Sequence, residues 1–317
     1  MYNYLLMDSL LAMYIEVRYQ LEDLIGLNLK ISDRAENCLF VGSGDSHVAA
    51  LIAQYASSHM ARSCFPTDIL ADPDILKNKT AYFISISGNT LDNILAARLA
   101  KRKNVKTVAI TRYPKSKLAN ICDEVIELNY RSTGITTSGS VGFSACVLAC
   151  LSLLRRIDRL PDLTSIFEVA DKISSKIISA RNFSSYIILG SGILFPIAIY
   201  GALKVNEVIG IRSYPYTVDE FFHAPIFGVR KTDRIIILDN GSNFFRKPKL
   251  FRAGYTGLNI TICDFDCSPQ NFLNVLLQSL FVLQLFVIKD ALKHELRECS
   301  FLTNNRLLKL SSRYIYA

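Results

Sequence analysis

Short runs of consecutive apolar residues recur along the chain, and a polar turn and then a longer apolar-rich segment follow each of them. The clearest runs lie at 38–41, 81–85 and 186–189. A continuous apolar run of this length is typical of a strand buried on both faces. The longer segments, such as 91–102 and 141–154, predict helices. Alternating strands and helices predict parallel sheets with helices on both faces.

The same pattern predicts the remaining elements. Further strands are predicted at 106–110, 124–128, 234–238 and 258–263. Further helices are predicted at the chain start, at 47–59 and at 270–292, and two more are predicted in between, of which one begins near 163 and the other ends at 208. Both halves contain the order strand, Gly-Ser-Gly turn, helix, which indicates two copies of one α/β unit.

A charged segment that ends in a proline, 155–161, is the best internal boundary. It divides the chain into an N-terminal helix over 1–30, a first domain over 31–160, a second domain over 161–292 and a C-terminal tail over 293–317. The length of 317 residues is sufficient for two domains of ordinary size.

Hydroxyl groups and glycines are concentrated where the predicted strands end. The first strand continues into Gly-Ser-Gly-Asp-Ser at 42–46, the second into Ser-Ile-Ser-Gly-Asn-Thr at 85–90, and a third polar turn lies at 132–140. Such strand-to-helix junctions direct backbone N–H groups towards an anion, and hydroxyls add donors that suit a phosphate. The alternative is a set of tight turns in which Asn89 or Thr90 caps the following helix.

The stretch 201–225 has a different chemistry, because it places Lys204, Glu207, Glu220 and His223 in a largely apolar neighbourhood. The chain has only four histidines, and one beside carboxylates is a candidate for proton transfer. The alternative is a helix with ordinary surface charges and a histidine at the edge of the core.

Composition excludes several classes of function. The 36 basic and 28 acidic residues leave a net charge of +8, but the basic residues are dispersed, so we expect no nucleic-acid partner. The eight cysteines form no paired CxxC motifs, so we expect no metal. The turn at 42–46 lacks the third glycine of a dinucleotide motif, so we expect no cofactor.

The apolar segments also indicate where the protein resides. The chain start predicts an amphipathic helix rather than a signal peptide. The segment 141–154 is too short to cross a bilayer, and Gln278 and Gln284 interrupt 272–288. We therefore expect a soluble, cytoplasmic protein with no membrane partner.

Taken together, five motifs resemble those of the sugar isomerase (SIS) family, in that family's order. They are GSGDS (42–46), SISGNT (85–90), GALKVNE (201–207), DEFFHAP (219–225) and a weaker NRLLKLS (305–311). The likeness extends from Cys38 to the C-terminus. It is to the tandem-SIS isomerase half of glucosamine-6-phosphate synthase and to stand-alone phosphosugar isomerases and deaminases. The synthase's glutaminase domain has no counterpart here, so we expect no glutamine-dependent amidotransfer.

The resemblance implies two SIS domains, each a mostly parallel sheet flanked by helices in a flavodoxin-like three-layer α/β/α arrangement. It also implies a homodimer whose active sites are shared between subunits, with a sugar phosphate as the ligand. The residues implied to bind the phosphate or the rest of the substrate are Gly44, Ser46, Ser85, Ser87, Asn89, Thr90 and Ser138.

The implied catalytic roles fall on four residues. Glu207 matches the base that moves a proton between C1 and C2 of the open-chain sugar. Lys204 lies three residues earlier on the same helix face, where it stabilises enediolate charge. His223 matches a histidine that assists ring opening in the neighbouring subunit's site. Lys309 matches the lysine of a tail that folds over the sugar, although its spacing is one residue short.

The sequence also departs from the synthase pattern. The loop 132–140 lacks the glutamate and lysine of the family's third loop, Tyr200 stands near a position where synthases carry a second glutamate, and Ala224 replaces a common glycine. These changes disfavour the substrate geometry of the synthase. They favour a divergent isomerase or deaminase.

Three functions are consistent with the sequence. The first is an aldose–ketose isomerase of a hexose or amino-hexose 6-phosphate, and the second is a glucosamine-6-phosphate deaminase. The third is a non-catalytic sugar-phosphate sensor. Retention of Glu207 and His223 disfavours a sensor, as does the absence of a DNA-binding helix-turn-helix before the first domain.

Overall fold

The computed structural model describes residues 7–27, 37–154, 157, 159–239, 258–265 and 272–316. Two compact units divide the chain. The five-strand unit consists of Arg18–Thr133, Gly139–Arg159 and Asn304–Ala317, and the four-strand unit of Met1–Val17, Gly134–Ser138 and Leu160–Thr303. The first helix, α1 (Ser9–Asp23), contributes residues to both units.

The five-strand unit alternates strands and helices, as the apolar pattern predicts. Its elements are β1 (Cys38–Val41), α2 (Asp45–Ala56), β2 (Arg62–Cys64), α3 (Pro66–Ala71), β3 (Thr80–Ile84), α4 (Leu91–Arg102), β4 (Thr107–Thr111), β5 (Glu124–Glu127) and α5 (Val141–Leu154). All neighbouring strands are parallel, in the order β2-β1-β3-β4-β5.

Both faces of this sheet are covered by helices. Leu39 and Val41 pack with Ile69 of α3 and Ile94 of α4 in one core cluster. Helices α2 and α5 pack together and contact the sheet's strands. Burial on both faces explains why these strands appear in the sequence as unbroken apolar runs rather than as alternating patterns.

The four-strand unit repeats this construction. Its elements after α1 are α6 (Leu163–Ile177), β6 (Ser185–Gly190), α7 (Leu194–Lys204), β7 (Arg212–Thr217), α8 (Val218–His223), β8 (Asp233–Asp239), β9 (Asn259–Asp264), α9 (Phe272–Lys293) and α10 (Ser300–Thr303). The strands are parallel in the order β7-β6-β8-β9. One face packs on α8, where Phe221 meets Ile187 and Leu189.

The two sheets share their strand order and the backbone of their first turn. In each, the first strand of the repeat lies between the second and the third. A Cβ added at Gly42 would lie 2.7 Å from the carbonyl carbon of Ser46, and one added at Gly190 would lie 2.2 Å from the carbonyl oxygen of Leu194, four residues on in both cases. The predicted α/β fold with parallel sheets is confirmed. The predicted bounds of the four chain segments stay a prediction.

The sequence pattern misses two strands and misplaces several helix boundaries, since the helix predicted at 47–59 spans Asp45–Ala56. β2 has only three residues, and β7 is an edge strand that contains Pro215. The helix predicted to reach residue 208 ends as an α-helix at Lys204, and a single π-turn, Val205–Ile209, follows it. The predicted start of the last apolar helix at 270 lies outside the described residues.

Among the described helices, α9 is long and apolar enough to cross a membrane by length and composition. Most of its apolar window, 72 %, is buried inside the protein. Its polar side chains have partners there: Gln284 donates to the Tyr200 hydroxyl, and the Tyr186 hydroxyl donates to Asp290. Such burial is typical of a core helix, and absence of a membrane partner stays a prediction.

Candidate active site

The turn between β1 and α2 contains the predicted residues Gly44 and Ser46. Gly44 has a φ of +56° and caps α2 without a side-chain hydrogen bond. The start of a helix carries backbone N–H groups without intrahelical partners, and these favour an anion. The side chain of Ser46 is half-buried in the first turn of α2.

The turn between β3 and α4 holds the larger group of predicted hydroxyls. The hydroxyl oxygens of Ser85 and Thr90 lie 3.1 Å apart, and Ser85 also accepts from the Gly88 N–H at 3.1 Å. Thr90 occupies the N-cap position of α4, but its side chain makes no capping hydrogen bond. Simple helix capping therefore does not account for this threonine.

The other two predicted residues of this turn bond to each other. Asn89 donates from its backbone N–H to the Ser87 hydroxyl at 3.2 Å and from its amide to the Ser87 carbonyl at 3.1 Å. Gly88 has a φ of +61°, and a Cβ there would lie 2.0 Å from the Ser116 hydroxyl, so the turn needs glycine.

These two turns lie at one edge of the sheet, because β1 and β3 are parallel neighbours. From β1 the chain continues to β2 on one side, whereas β3 lies on the other side. A switch of this kind is where open α/β sheets bind ligands, outside the carboxyl ends of the strands. The structure thus brings the predicted phosphate-binding turns of the five-strand unit together.

A second polar group lies in the four-strand unit and joins Ser138, Lys204 and Glu207. The ammonium of Lys204 donates to Oε2 of Glu207 at 2.5 Å and to the Ser138 hydroxyl at 2.9 Å. The Ser138 hydroxyl donates to the same Oε2 at 2.5 Å. The side chain of Lys204 is 0 % exposed and that of Glu207 is 39 % exposed. A buried ammonium requires such partners, since an unpaired one costs several kcal/mol.

Local backbone explains how this group forms. Lys204 ends α7, and the π-turn that follows carries Glu207. Single π-turns occur frequently at functional sites. Gly210 then ends the turn with a φ of +79°, and a Cβ there would lie 2.2 Å from the Ser300 hydroxyl. The ion pair between Lys204 and Glu207 thus joins two residues that the sequence places three positions apart.

Tyr200 lies near one of the departures from the synthase pattern, and it is fully buried one turn before Lys204. Its ring centroid lies 5.2 Å from the Lys204 ammonium, within the range of a cation–π contact. The Lys204 ammonium therefore has an aromatic ring beside it in addition to the Glu207 carboxylate.

Sequence reasoning missed Cys299 as a neighbour of this group. The cysteine is 0 % exposed, and its backbone N–H donates to the Ser9 hydroxyl at 2.7 Å. Burial raises the pKa of the Cys299 thiol, while the Ser138 backbone N–H and the Ser9 hydroxyl act in the opposite direction, and the charge of Glu207 raises it further. No local motif marks such a residue, because it meets Ser138 only through the fold.

The structure does not join the remaining predicted residues to these groups. His223 ends α8 and is exposed, and Lys309 is exposed on α11 (Asn305–Tyr316). Within the described part of the chain, neither side chain makes a hydrogen bond or an ion pair. Among those residues there is also no cluster of His, Cys, Asp and Glu that could hold a metal ion.

Residues 31–153 match the family model of the SIS domain. The matched segment contains both hydroxyl-rich turns of the five-strand unit, and it ends before the four-strand unit's sheet begins. That the chain has two SIS domains stays a prediction.

Curated relatives include the glutamine–fructose-6-phosphate aminotransferase of Brucella abortus, which is 23 % identical over 71 % of this chain and 41 % of the relative. That of Bradyrhizobium diazoefficiens is 27 % identical over 64 % of this chain and 38 % of its own length. The chain therefore spans about two fifths of these relatives.

Solved structures show the same fold. The glucosamine-6-phosphate deaminase of Thermotoga maritima aligns with a TM-score of 0.73 and 20 % identity, over 90 % of this chain and 96 % of that one. The tagatose-6-phosphate ketose/aldose isomerase of Escherichia coli aligns with a TM-score of 0.68 and 18 % identity, over 89 % and 93 %.

Proposed function

We propose that the protein is a phosphosugar isomerase that interconverts the aldose and ketose forms of a hexose or amino-hexose 6-phosphate. The observation that carries the proposal is the set of hydrogen bonds to Glu207. This carboxylate is part-exposed, and one of its two oxygens accepts hydrogen bonds from a buried lysine and a buried serine. A carboxylate held in a fixed place and open to solvent suits a general base. The match of residues 31–153 to the SIS domain family model and the aminotransferase and isomerase relatives support the substrate class.

In this proposal, Glu207 removes a proton from the carbon beside the sugar carbonyl and returns it to the neighbouring carbon. The negative charge that develops on the sugar oxygen needs electrostatic support. Lys204 supplies a nearby positive charge within the same unit. We assign ring opening to His223, which would act in a second copy of the chain, and the closing of the tail over the sugar to Lys309.

The phosphate-binding part of the proposal concerns the five-strand unit. Backbone N–H groups at Gly44 and the hydroxyls of Ser46, Ser85 and Thr90 would bind the phosphate, with Ser87 and Asn89 beside them. The hydroxyl pair of Ser85 and Thr90, 3.1 Å apart, supports this role. Two adjacent hydroxyls can rotate to donate to one phosphate.

Turnover assays test the function. The purified protein is incubated with fructose 6-phosphate, glucose 6-phosphate and glucosamine 6-phosphate in D₂O, and sugar products, deuterium at C1 or C2, and ammonia are measured. We expect isomerised sugar with deuterium incorporation, and Glu207→Gln should lower kcat by about a thousandfold, since it removes the base. Glu168→Gln, which changes an exposed carboxylate on α6, is the matched control.

The other outcomes separate the alternatives. Release of ammonia identifies a deaminase. Thermal stabilisation by a sugar phosphate without turnover or deuterium exchange identifies a sensor. Turnover that survives Glu207→Gln contradicts the assignment of the base.

A further inference from the structure

The hydrogen bonds around Glu207 meet on a single oxygen atom. Both Lys204 and Ser138 donate to Oε2, each at 2.5 Å. Among the described residues, no hydrogen bond to Oε1 is present. One oxygen of this part-exposed carboxylate is therefore tied to the protein by two donors, and neither of these donors binds the other oxygen.

The Ser138 hydroxyl uses its only hydrogen within the protein. It gives its one hydrogen to Glu207 and accepts from the Lys204 ammonium at 2.9 Å. A serine hydroxyl has only one hydrogen to donate. Ser138 is also 2 % exposed, so little of it is open to a sugar. These contacts disagree with the role of substrate binder that the family resemblance implies for this serine.

We propose that Ser138 is a positioning residue that, together with Lys204, holds Glu207 by Oε2 and so presents Oε1 as the atom that takes the proton. The inference rests on the proposed function, which it deepens. The proton moves from a sugar carbon to Oε1 and back to the neighbouring carbon, so no other reactant is needed. Two donors on Oε2 restrict rotation of the carboxylate.

The segment that carries Ser138 is itself held in place. The Thr137 hydroxyl donates at 2.7 Å to Glu16, which is 5 % exposed on α1. The Ser138 backbone N–H bonds to the sulfur of buried Cys299. A positioning residue needs such support, because its own placement determines that of the base.

The test compares Ser138→Ala with Ser138→Thr, which keeps a hydroxyl. We expect Ser138→Ala to lower kcat about tenfold with KM within twofold. Ser138→Thr should restore kcat. Ser279→Ala removes another buried serine hydroxyl, which donates to the Leu276 carbonyl within α9, and should change neither kcat nor KM.

Two results would overturn the inference. One is a Ser138→Ala variant that raises KM with kcat unchanged, which is the signature of a lost substrate contact. The other comes from a double-mutant cycle of unfolding without substrate, in which Ser138→Ala and Glu207→Ala should be non-additive, and Ser279→Ala and Glu207→Ala additive. Additivity in the first pair sinks the inference even if no sugar phosphate is turned over. Absence of turnover in the native protein counts against the proposed function alone.

Discussion

The two strand–glycine–helix turns of this protein share a backbone but not a chemistry. Gly44 and Gly192 both have a φ of +56° at the same step of the turn. The three residues that follow are Asp45, Ser46 and His47 in the five-strand unit, and Ile193, Leu194 and Phe195 in the four-strand unit. The common backbone serves packing of a helix against its strand. The side chains that follow are polar in the first turn and apolar in the second.

The first prediction tests the shared backbone and has the largest expected effect on stability. Gly190→Ala places a Cβ 2.2 Å from the Leu194 carbonyl oxygen, and Gly42→Ala places one 2.7 Å from the Ser46 carbonyl carbon. Backbone atoms cannot move aside as a side chain can. We expect losses in the free energy of unfolding of about 3 kcal/mol and about 2 kcal/mol respectively, measured by urea denaturation.

Gly44→Ala and Gly192→Ala are the controls, because no atom lies within 4 Å of a Cβ added at either. Their positive φ alone should cost about 1 kcal/mol. Equal losses at Gly190 and Gly192 would contradict the steric explanation and leave only the backbone conformation.

The second prediction extends the difference in chemistry to the turn after β3, at 85–90, which it compares with the turn after β6. Ser85→Ala and Thr90→Val, in the hydroxyl-rich turn, should each weaken binding of a sugar phosphate about tenfold, because each removes a hydrogen bond to a charged group. Calorimetry with fructose 6-phosphate measures the change. Ser191→Ala, in the apolar turn of the four-strand unit, should leave the affinity unchanged. Similar losses at Ser85 and Ser191 would refute the distinction between the turns.

The third prediction concerns pH and has the smallest effect. The ring of His47 stacks on Phe65 at 3.8 Å, and its buried Nδ1 has no hydrogen-bond partner in the described part of the chain. Burial lowers the pKa of His47. A hydrogen bond to the Cys64 backbone and the charge of Asp68 raise it, but by less than burial lowers it. Its neutral form is therefore the one that the folded state prefers.

The unfolded chain then binds the proton first as the pH falls. The stabilisation due to a neutral His47 is complete above a pKa of about 6.5, its unfolded value. It is lost as the pH falls from there to the lower folded-state value. We expect His47→Phe, which copies Phe195 of the other turn, to flatten the decline of unfolding free energy between pH 7 and pH 5. His59→Asn, at an exposed histidine, should leave the slope as it is. An unchanged slope in His47→Phe would refute the assignment.

The two candidate groups differ in how far the sequence predicts them. The hydroxyls of Ser85 and Thr90 are five residues apart in one turn, and their hydrogen bond is local. A single sequence motif therefore contains both residues and predicts that they lie close together. Ser138 is 69 residues from Glu207 along the chain and shares its carboxylate oxygen with Lys204. Helix spacing places Lys204 and Glu207 on one face, whereas the family resemblance alone implied a role for Ser138, and no sequence feature singled out Cys299.

The sequence by itself determined the alternation of buried strands and helices, because burial on both sheet faces leaves unbroken apolar runs. It also determined the glycine turns, since only glycine accepts the close approach at Gly42 and Gly190. The tertiary structure alone decided the π-turn that carries Glu207 and the meeting of Ser138 with Lys204. Those arrangements depend on contacts between distant segments, and no local preference of the chain records them.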